Sequence, residues 1–236
     1  MAIERFLDGV NIVSEANPLG MLPYPDPTRW SVFMEDFILV PELTSQWTHN
    51  NTGGTLSSTS TGGAGSWVQT LAAGDNNYSQ VYPKAGTFAL TSAKKAIFEA
   101  KVMVTAAGTI GLQELFVGLG TLQATDNFIA ADGATMTVDA CVGFWSGPTV
   151  ATISAVVRSA DVQSTVAAVT SYATATQMVL SWYFDGTSVT FYKNDTQIAT
   201  ISAFPTTAMV PTLWIKCGEA QVVSLTTDYI FVAVER

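Results

Sequence analysis

Hydrophobic and polar residues alternate along most of this chain, and helical spacing is almost absent. The clearest example is segment 96–104, where apolar side chains recur at every second position and Glu99 and Lys101 stand between them. Because successive side chains of a strand point to opposite faces, this pattern predicts a half-buried strand. Its predicted buried face consists of Phe98, Ala100, Val102 and Val104.

The segment 178–201 predicts three consecutive antiparallel strands. Asp185-Gly186 and Asn194-Asp195 interrupt it with residues that tolerate the positive φ of tight hairpin turns. Further strands are predicted at residues 33–39, 115–119, 140–146, 152–159, 209–215 and 228–234. Only residues 110–116 have a spacing that suits a short helical turn. The pattern as a whole predicts an all-β fold.

The last of these segments, 228–234, is apolar on both faces. Tyr229 and Phe231 alternate with Ile230 and Val232, so neither face is polar. A strand of this kind sits at the centre of a sheet that is covered on both sides. One cover is the opposing sheet and the other could be a neighbouring subunit, which suggests an oligomer.

Residues 1–30 differ from the rest because they combine four prolines with large apolar side chains. Proline at this density disfavours both helix and central strand, whereas disordered arms rarely carry so many apolar groups. We therefore expect an extended arm over 1–30 that docks on its own domain, a sister subunit or another protein, followed by one domain over 31–236. The candidate docking residues are Phe6, Leu7, Leu19, Met21, Leu22, Tyr24 and Trp30. A second exception, the Gly, Ser and Thr tract at 50–65, predicts a flexible loop or an irregular edge hairpin.

Composition narrows the possible partners. The chain has 236 residues, 48% hydrophobic and only 12% charged, with a net charge of −9. Its ten Lys and Arg residues are scattered, so binding to a nucleic-acid backbone, which needs clustered cations, is not expected. No apolar run approaches the roughly 18 residues of a membrane-spanning helix, and the charged start does not resemble a signal peptide. We expect a protein that stays in the cytoplasm or leaves it without secretion.

Two cysteines and one histidine offer little metal chemistry. Cys141, Cys217 and His49 cannot form a four-ligand zinc site without carboxylates. Two buried free thiols are expected, with a disulfide or a metal-binding pair as the alternative. His49 is expected to be an exposed loop residue, and no cofactor is predicted.

The order of elements over residues 31–236 resembles the concanavalin-like (LamG-like) jelly-roll β-sandwich. The sequence segments on which this resemblance rests are Leu180-Ser181-Trp182-Tyr183-Phe184-Asp185-Gly186, Val189-Thr190-Phe191-Tyr192-Lys193-Asn194-Asp195 and the closing strand Asp228-Tyr229-Ile230-Phe231-Val232. The segments Phe98–Val102 and Leu115–Leu119 are similar to inner-sheet strands of that fold. The resemblance implies a single antiparallel sandwich.

The layout of the whole chain also resembles virion proteins of tailed bacteriophages. A short charged start, Arg5-Phe6-Leu7-Asp8-Gly9, precedes Asn17-Pro18-Leu19-Gly20 and Leu22-Pro23, and a jelly roll opens near Glu35-Asp36-Phe37. This resemblance implies a capsid decoration (cement) protein on the outside of a virion assembled in the host cytoplasm. The implied partners are the major capsid protein and further copies of the chain, as dimers or trimers. A tail or fibre component shares the same features.

Catalytic motifs are absent from the sequence. Retaining glycosidases of this fold carry Glu-x-Asp-x-(x)-Glu on one strand, which places two carboxyl groups about 5 Å apart, and no Glu here is followed by Asp two residues later. The word Gly63-Ala64-Gly65-Ser66 lacks the strand–turn–helix context of a nucleophile elbow. The sequence therefore predicts a protein that is not an enzyme.

A glycan-binding module is the alternative from a different functional class. Asp75-Asn76-Asn77-Tyr78 and Asp126-Asn127-Phe128 combine amide, carboxylate and aromatic groups, and a loop of this kind suits calcium. Both are ordinary turn sequences as well. Trp30 and Trp47 are the tryptophans expected to be exposed anchors, and the other four are expected in the core.

Overall fold

The computed structural model describes residues 29–37, 45–61, 64–109, 113–122, 128–130, 135–147 and 151–236. These residues form fifteen strands, and none of them is helical. No helix in these ranges has the length and apolarity to cross a membrane. The strands are β1 (Trp30–Glu35), β2 (Trp47–Thr52), β3 (Gly54–Thr61), β4 (Ala64–Leu71), β5 (Tyr78–Pro83), β6 (Ala96–Ala106), β7 (Gln113–Gly120), β8 (Cys141–Ser146), β9 (Thr152–Ser159), β10 (Val162–Ser171), β11 (Thr176–Phe184), β12 (Val189–Lys193), β13 (Thr196–Ile201), β14 (Val210–Cys217) and β15 (Val223–Glu235).

The strands form two antiparallel sheets packed face to face. The eight-stranded sheet has the order β13-β12-β11-β6-β15-β4-β3, and β1 pairs with β15 beside that path. The seven-stranded sheet has the order β10-β9-β8-β7-β14-β5-β2. Every pairing between these strands is antiparallel, so the predicted all-β jelly-roll sandwich is confirmed.

The core lies between the two sheets and is built from alternate residues of each strand. On β6 the buried inner residues are those predicted from the alternation, and the ring of Phe98 stacks on Trp182 with centroids 5.8 Å apart. The opposing sheet contributes Leu115, Val117 and Phe144 to the same cluster. Removal of this apolar area from water, at about 25 cal/mol per Å², is the main force that holds the sheets together.

Strand β15 is an interior strand of the eight-stranded sheet, as its two apolar faces predicted. It pairs with β6 along one edge, and along the other with β4 and then with β1. A bulge at Asp228 marks the change of partner, since the register with β6 shifts between Thr227 and Tyr229. The extra residue keeps apolar side chains inward on both sides of the bulge, with Leu225 before it and Ile230 after it in the core.

The predicted meander at 178–201 is confirmed as β11, β12 and β13. Residues 113–116 lie in strand β7, so the predicted helical turn at 110–116 is wrong over the described part of that segment. The polar tract at 50–65 contributes to β2, β3 and β4, with β3 at the edge of its sheet. The edge hairpin is the alternative that the structure supports.

The sheet edges are polar or irregular. Strand β3 carries Ser, Thr and Gly at most positions, and β2 is largely Thr and Asn. The pairing of β10 with β9 shifts register between Val166 and Thr170, where Ala168 has a positive φ of 51°. A second shift occurs between Phe191 and Tyr192 where β12 meets edge strand β13.

A close backbone approach underlies the centre of the seven-stranded sheet. Gly118 of β7 lies directly opposite Gly143 of β8. A β-carbon on Gly143 would lie 2.6 Å from the carbonyl oxygen of Val117 and 2.9 Å from both the Gly118 Cα and the Phe116 Cζ. Both residues therefore have to be glycine for the strands and the Phe116 ring to keep these positions.

We predict that Gly143→Ala lowers the free energy of unfolding by about 2–4 kcal/mol, because the added methyl group collides with backbone atoms that cannot move independently. Urea denaturation followed by tryptophan fluorescence measures the change. The control Gln197→Ala, at an exposed position of β13, should stay within about 0.5 kcal/mol. Equal stability of Gly143→Ala and the control would contradict the close approach.

Candidate functional site

The outer face of the seven-stranded sheet carries a row of side chains that runs across five strands. Strand register places Asn50, Gln80, Trp214, Phe116 and Trp145 side by side. Gln80, Trp214, Phe116 and Trp145 point away from the core, because their chain neighbours Val81, Leu213, Leu115 and Phe144 face it. Asn50 lies on the same side, since its Nδ2 donates a hydrogen bond to Tyr82 Oη. The row therefore has an amide end and an aromatic end.

The aromatic end of the row is covered by the chain that connects β7 to β8. Phe128, Ile129, Met136 and Val138 form one buried cluster with the row. The rings of Phe116 and Phe128 lie 4.4 Å apart. These aromatic rings are packing surfaces and are not available as an open platform.

The amide end has a different character, and we call it the polar corner. Its members lie on the outward faces of β2, β5, β7 and β14, and Asn50 Nδ2 donates a 3.3 Å hydrogen bond to Tyr82 Oη. The polar corner consists of Asn50, Tyr78, Gln80, Tyr82, Glu114 and Lys216. Two tyrosines, two amides and one pair of opposite charges thus share one patch.

Gln80 is the most unusual member of the polar corner. Its side chain is fully buried at 0% exposure, yet neither Nε2 nor Oε1 has a hydrogen-bond partner among the described residues. The neighbouring Trp214, also 0% exposed, has an Nε1 without a partner there. A buried amide left unpaired costs about 1–3 kcal/mol. Such a group in a native protein calls for an explanation.

Charge in the polar corner is balanced. Lys216 Nζ lies 4.0 Å from Glu114 Oε1, and both side chains are largely buried. Glu114 is the one acidic residue on the strands of this sheet. The two-carboxylate arrangement of most glycosidases would therefore need a second carboxyl group from outside these strands.

His49 lies in strand β2 and is half-buried, so the predicted exposed loop position is wrong. Its Nε2 lies 2.8 Å from Ser79 Oγ, and Gln69 Nε2 donates a 2.9 Å hydrogen bond to the same hydroxyl. Burial lowers the pKa of His49 from its ordinary value of 6.5. Ser79 is 0% exposed, so this pair stabilises the sandwich and does not present a nucleophile.

Both cysteines are buried free thiols, as predicted. Burial raises the pKa of Cys141 to about 12 and that of Cys217 to about 11. No group of three or more His, Cys, Asp or Glu residues that could hold a metal ion occurs in the described ranges.

Only some of the other candidate binding residues from the sequence lie in the part of the chain that the structure describes. Asp75–Asn77 forms a turn before Tyr78 at the start of β5, and Asn77 Nδ2 donates a 3.0 Å hydrogen bond to the carbonyl oxygen of Ala72. Trp47 is wrong as an exposed anchor, because only 2% of it is exposed, and Trp30 is buried at 8% in β1. Asp126 and Asn127 lie outside the described residues. So do six of the predicted arm residues: Phe6, Leu7, Leu19, Met21, Leu22 and Tyr24.

Sequence reasoning missed the polar corner altogether. Its residues come from four strands that are distant along the chain, and sheet register alone brings them together. The one available signal was the alternation Tyr78-Ser79-Gln80-Val81-Tyr82, which places three polar side chains on one face.

No family model and no curated protein sequence matches this chain. Solved structures show its fold. An endo-1,3-beta-glucanase from Streptomyces sioyaensis aligns with a TM-score of 0.58 and 9% identity, over 90% of this chain and 99% of its own. A beta-glucanase of Bacillus licheniformis gives 0.59 and 12%, over 85% and 97%. The carbohydrate recognition domain of Emp47p gives 0.55 and 9%, over 89% and 98%.

These neighbours share the concanavalin-like jelly roll that the sequence predicted. They also correct the prediction that the chain is not an enzyme, because two of the three are glucanases. A missing sequence motif was therefore insufficient ground for excluding an enzyme. The virion role, the capsid partner and the oligomer are not tested by these likenesses and stay predictions.

We predict that His49 makes stability depend on pH. Its pKa is lower in the folded chain, so below about 6.5 the unfolded chain binds a proton that the folded chain does not. The free energy of unfolding should therefore decrease as the pH falls from about 7.5 to about 5.5. Urea denaturation at both pH values measures this, with His49→Gln as the control that lacks the titrating group. An identical pH dependence in both proteins would count against this role of His49.

Proposed function

We propose that the polar corner binds a glycan. The observation that carries the proposal is the Gln80 amide, which is buried on the outer face and unpaired among the described residues. An amide presents two N–H donors and a carbonyl acceptor, the groups that adjacent sugar hydroxyls bind as a pair. Because this amide is 0% exposed, a ligand can pair with it only when the groups that cover it move aside, and pairing then recovers the free energy lost by leaving the amide unpaired.

The rest of the polar corner fits the same ligand class. Tyr78 and Tyr82 flank Gln80 on the same face of β5 and supply aromatic rings for the apolar faces of sugar rings. The Lys216 and Glu114 charges are of opposite sign and lie 4.0 Å apart, so the corner has no excess charge. These features favour a neutral, hydroxyl-rich ligand over an acidic one.

The fold neighbours support this proposal at the level of architecture. Two are glucanases and one is a carbohydrate recognition domain. At identities of 9–12% these structures show only a shared fold, so the evidence for a function has to come from the site itself. Neutral gluco-oligosaccharides are therefore the first ligands to test.

We predict that Gln80→Met weakens glycan binding while it increases stability. Methionine keeps the length of the side chain but removes the unpaired amide, so the free energy of unfolding should rise by about 1–2 kcal/mol. Titration calorimetry with β-1,3- and β-1,4-linked gluco-oligosaccharides should show at least a tenfold loss of affinity, about 1.4 kcal/mol.

The matched control is Gln197→Met, the same substitution at an exposed position on the other sheet. It should leave the affinity unchanged. Chromatography of the oligosaccharides after incubation with the unsubstituted protein reports any cleavage in the same experiment. Wild-type affinity in Gln80→Met, or no binding of any neutral glycan by the unsubstituted chain, would refute the proposal.

We also propose, on separate grounds, that the chain is a structural component of a phage virion, such as a capsid decoration protein bound to the major capsid protein. The support is the sequence layout from Arg5-Phe6-Leu7-Asp8-Gly9 to Glu35-Asp36-Phe37 and the low charge content of 12%.

Quantitative mass spectrometry of purified virions tests the proposed virion role. A copy number similar to the capsid protein, or a simple fraction of it, supports decoration. A few dozen copies or fewer indicate the tail or fibres, and absence from virions rejects the role.

A further inference from the structure

A cleft opens at one end of the sandwich, where the connection between β10 and β11 meets the turn between β12 and β13. It has a volume of about 220 Å³, and its walls include Tyr172, Ala173, Gln177, Met178, Lys193 and Asn194. Strand β10 forms one edge of the seven-stranded sheet, whereas the polar corner begins at the opposite edge with β2. The cleft is therefore a second concave surface, separate from the polar corner.

Lys193 is the cationic side chain of this cleft. It lies on the inner side of β12, two positions after Phe191, which faces the core. Its Nζ donates one hydrogen bond to the carbonyl oxygen of Ser171 and another, of 3.3 Å, to Thr170 Oγ1. Both acceptors are neutral, and an ammonium group has three N–H donors. One N–H of Lys193 is therefore left without a partner among the described residues.

The charge of Lys193 is not balanced by the residues that the structure describes. Lys101, Arg158 and Lys216 each have a carboxylate within 4.0 Å, whereas both partners of Lys193 are uncharged. Burial lowers the pKa of Lys193 from its ordinary value of 10.5, because the ammonium group loses water without gaining a carboxylate. A ligand with a negative group can supply the missing charge.

Hydrogen-bonding and apolar groups surround this charge. Asn194 Oδ1 accepts a 2.8 Å hydrogen bond from the Val179 amide, which fixes the side chain and leaves its Nδ2 donors unused by the described residues. Gln177 brings a second amide, at an exposed position of β11. The Tyr172 ring and the Met178 side chain, both largely buried, add apolar surface. This combination suits a ligand that has a carboxylate and several hydroxyl groups.

We propose that this cleft binds a hexuronate, a six-carbon sugar acid, with the carboxylate of the ligand on Lys193 Nζ. The amides of Gln177 and Asn194 then bind ring hydroxyls, and the apolar wall packs against the sugar ring. The volume of about 220 Å³ is below the range of about 300–1,000 Å³ that is usual for drug-sized ligands, so it suits one sugar unit. This proposal is independent of the polar corner, which is expected to bind a neutral glycan.

The overall charge of the chain does not prevent this binding. A net charge of −9 repels an anion at long range. At physiological ionic strength, however, charges separated by more than about 8 Å are largely screened from each other. Direct contact with Lys193 therefore decides whether a carboxylate binds.

Methyl NMR of the protein labelled with ¹³C-methyl methionine tests the proposal. Met178 lies in the wall of the cleft, and the other methionines serve as internal references. Met178→Leu identifies the Met178 signal. We expect D-glucuronate to shift this signal in a saturable manner, and D-glucose, which has no carboxylate, to bind at least about tenfold more weakly.

Lys193→Gln tests the role of the charge. Glutamine keeps N–H donors for Thr170 and Ser171 but is neutral, so the affinity for glucuronate should fall at least about tenfold. The matched control is Lys95→Gln, which changes the net charge equally at the other end of β6, roughly 30 Å away. It should leave the affinity unchanged.

Two further variants separate this cleft from the rest of the chain. Ala173→Trp narrows the cleft while it keeps Lys193, so it should also weaken glucuronate binding at least about tenfold. Gln80→Met, which alters only the polar corner, should bind glucuronate as tightly as the unsubstituted protein does. Loss of glucuronate binding in Gln80→Met would place the ligand at the polar corner and overturn the proposal.

The proposal is also wrong if glucuronate leaves the Met178 signal unmoved, or if Lys193→Gln or Ala173→Trp retains full affinity. N-acetylalanine, which presents a carboxylate without sugar hydroxyls, represents the end of a peptide. If it binds as tightly as glucuronate, the cleft recognises a peptide carboxylate and the sugar acid is rejected.

Discussion

The pairing of β15 with its neighbours is the constraint on which the rest of the sandwich depends. This strand runs from Val223 to Glu235, and β4 and β1 share one of its edges in succession. The bulge at Asp228 makes this possible, because one extra residue changes partner without turning the apolar side chains outward. It also places Asp228 Oδ2 3.0 Å from Lys101 Nζ, and Tyr229 Oη donates a 2.5 Å hydrogen bond to buried Glu99.

Those parts of the fold that carry hydrophobic alternation could be predicted from the sequence. The strand at 96–104 and the meander at 178–201 were found because apolar residues recur at every second position and the turns have suitable residues. Strand β3 was covered only by the edge-hairpin alternative for 50–65. Strands β4 and β5 were not predicted, and neither were β2 and β10, in which Ser, Thr, Asn and Ala give no such contrast. His49 was assigned to a loop for the same reason. Its strand is defined by pairing with β5, which local sequence does not show.

The candidate site could not be predicted from the sequence, because only the pairing register of the strands brings its residues together. Asn50, Gln80 and Lys216 are distant in sequence and become neighbours only when β2, β5 and β14 align. The same limit explains the incorrect exclusion of an enzyme. A search for Glu-x-Asp on one strand tests one arrangement of carboxyl groups, whereas a jelly-roll sandwich can bring together groups from several strands.

The edge strands of the two sheets affect how neighbouring copies of the chain can interact at high protein concentration. An exposed regular edge is a template on which a neighbouring chain can add its own strand. Here β3 and β2 present mainly hydroxyl and amide side chains, and β10 is interrupted where Ala168 leaves the regular conformation. Strand addition by a neighbouring copy is therefore hindered at the interrupted β10 edge, whereas β3 pairs regularly over eight residues without charge or proline and keeps an edge of the kind that another strand can extend.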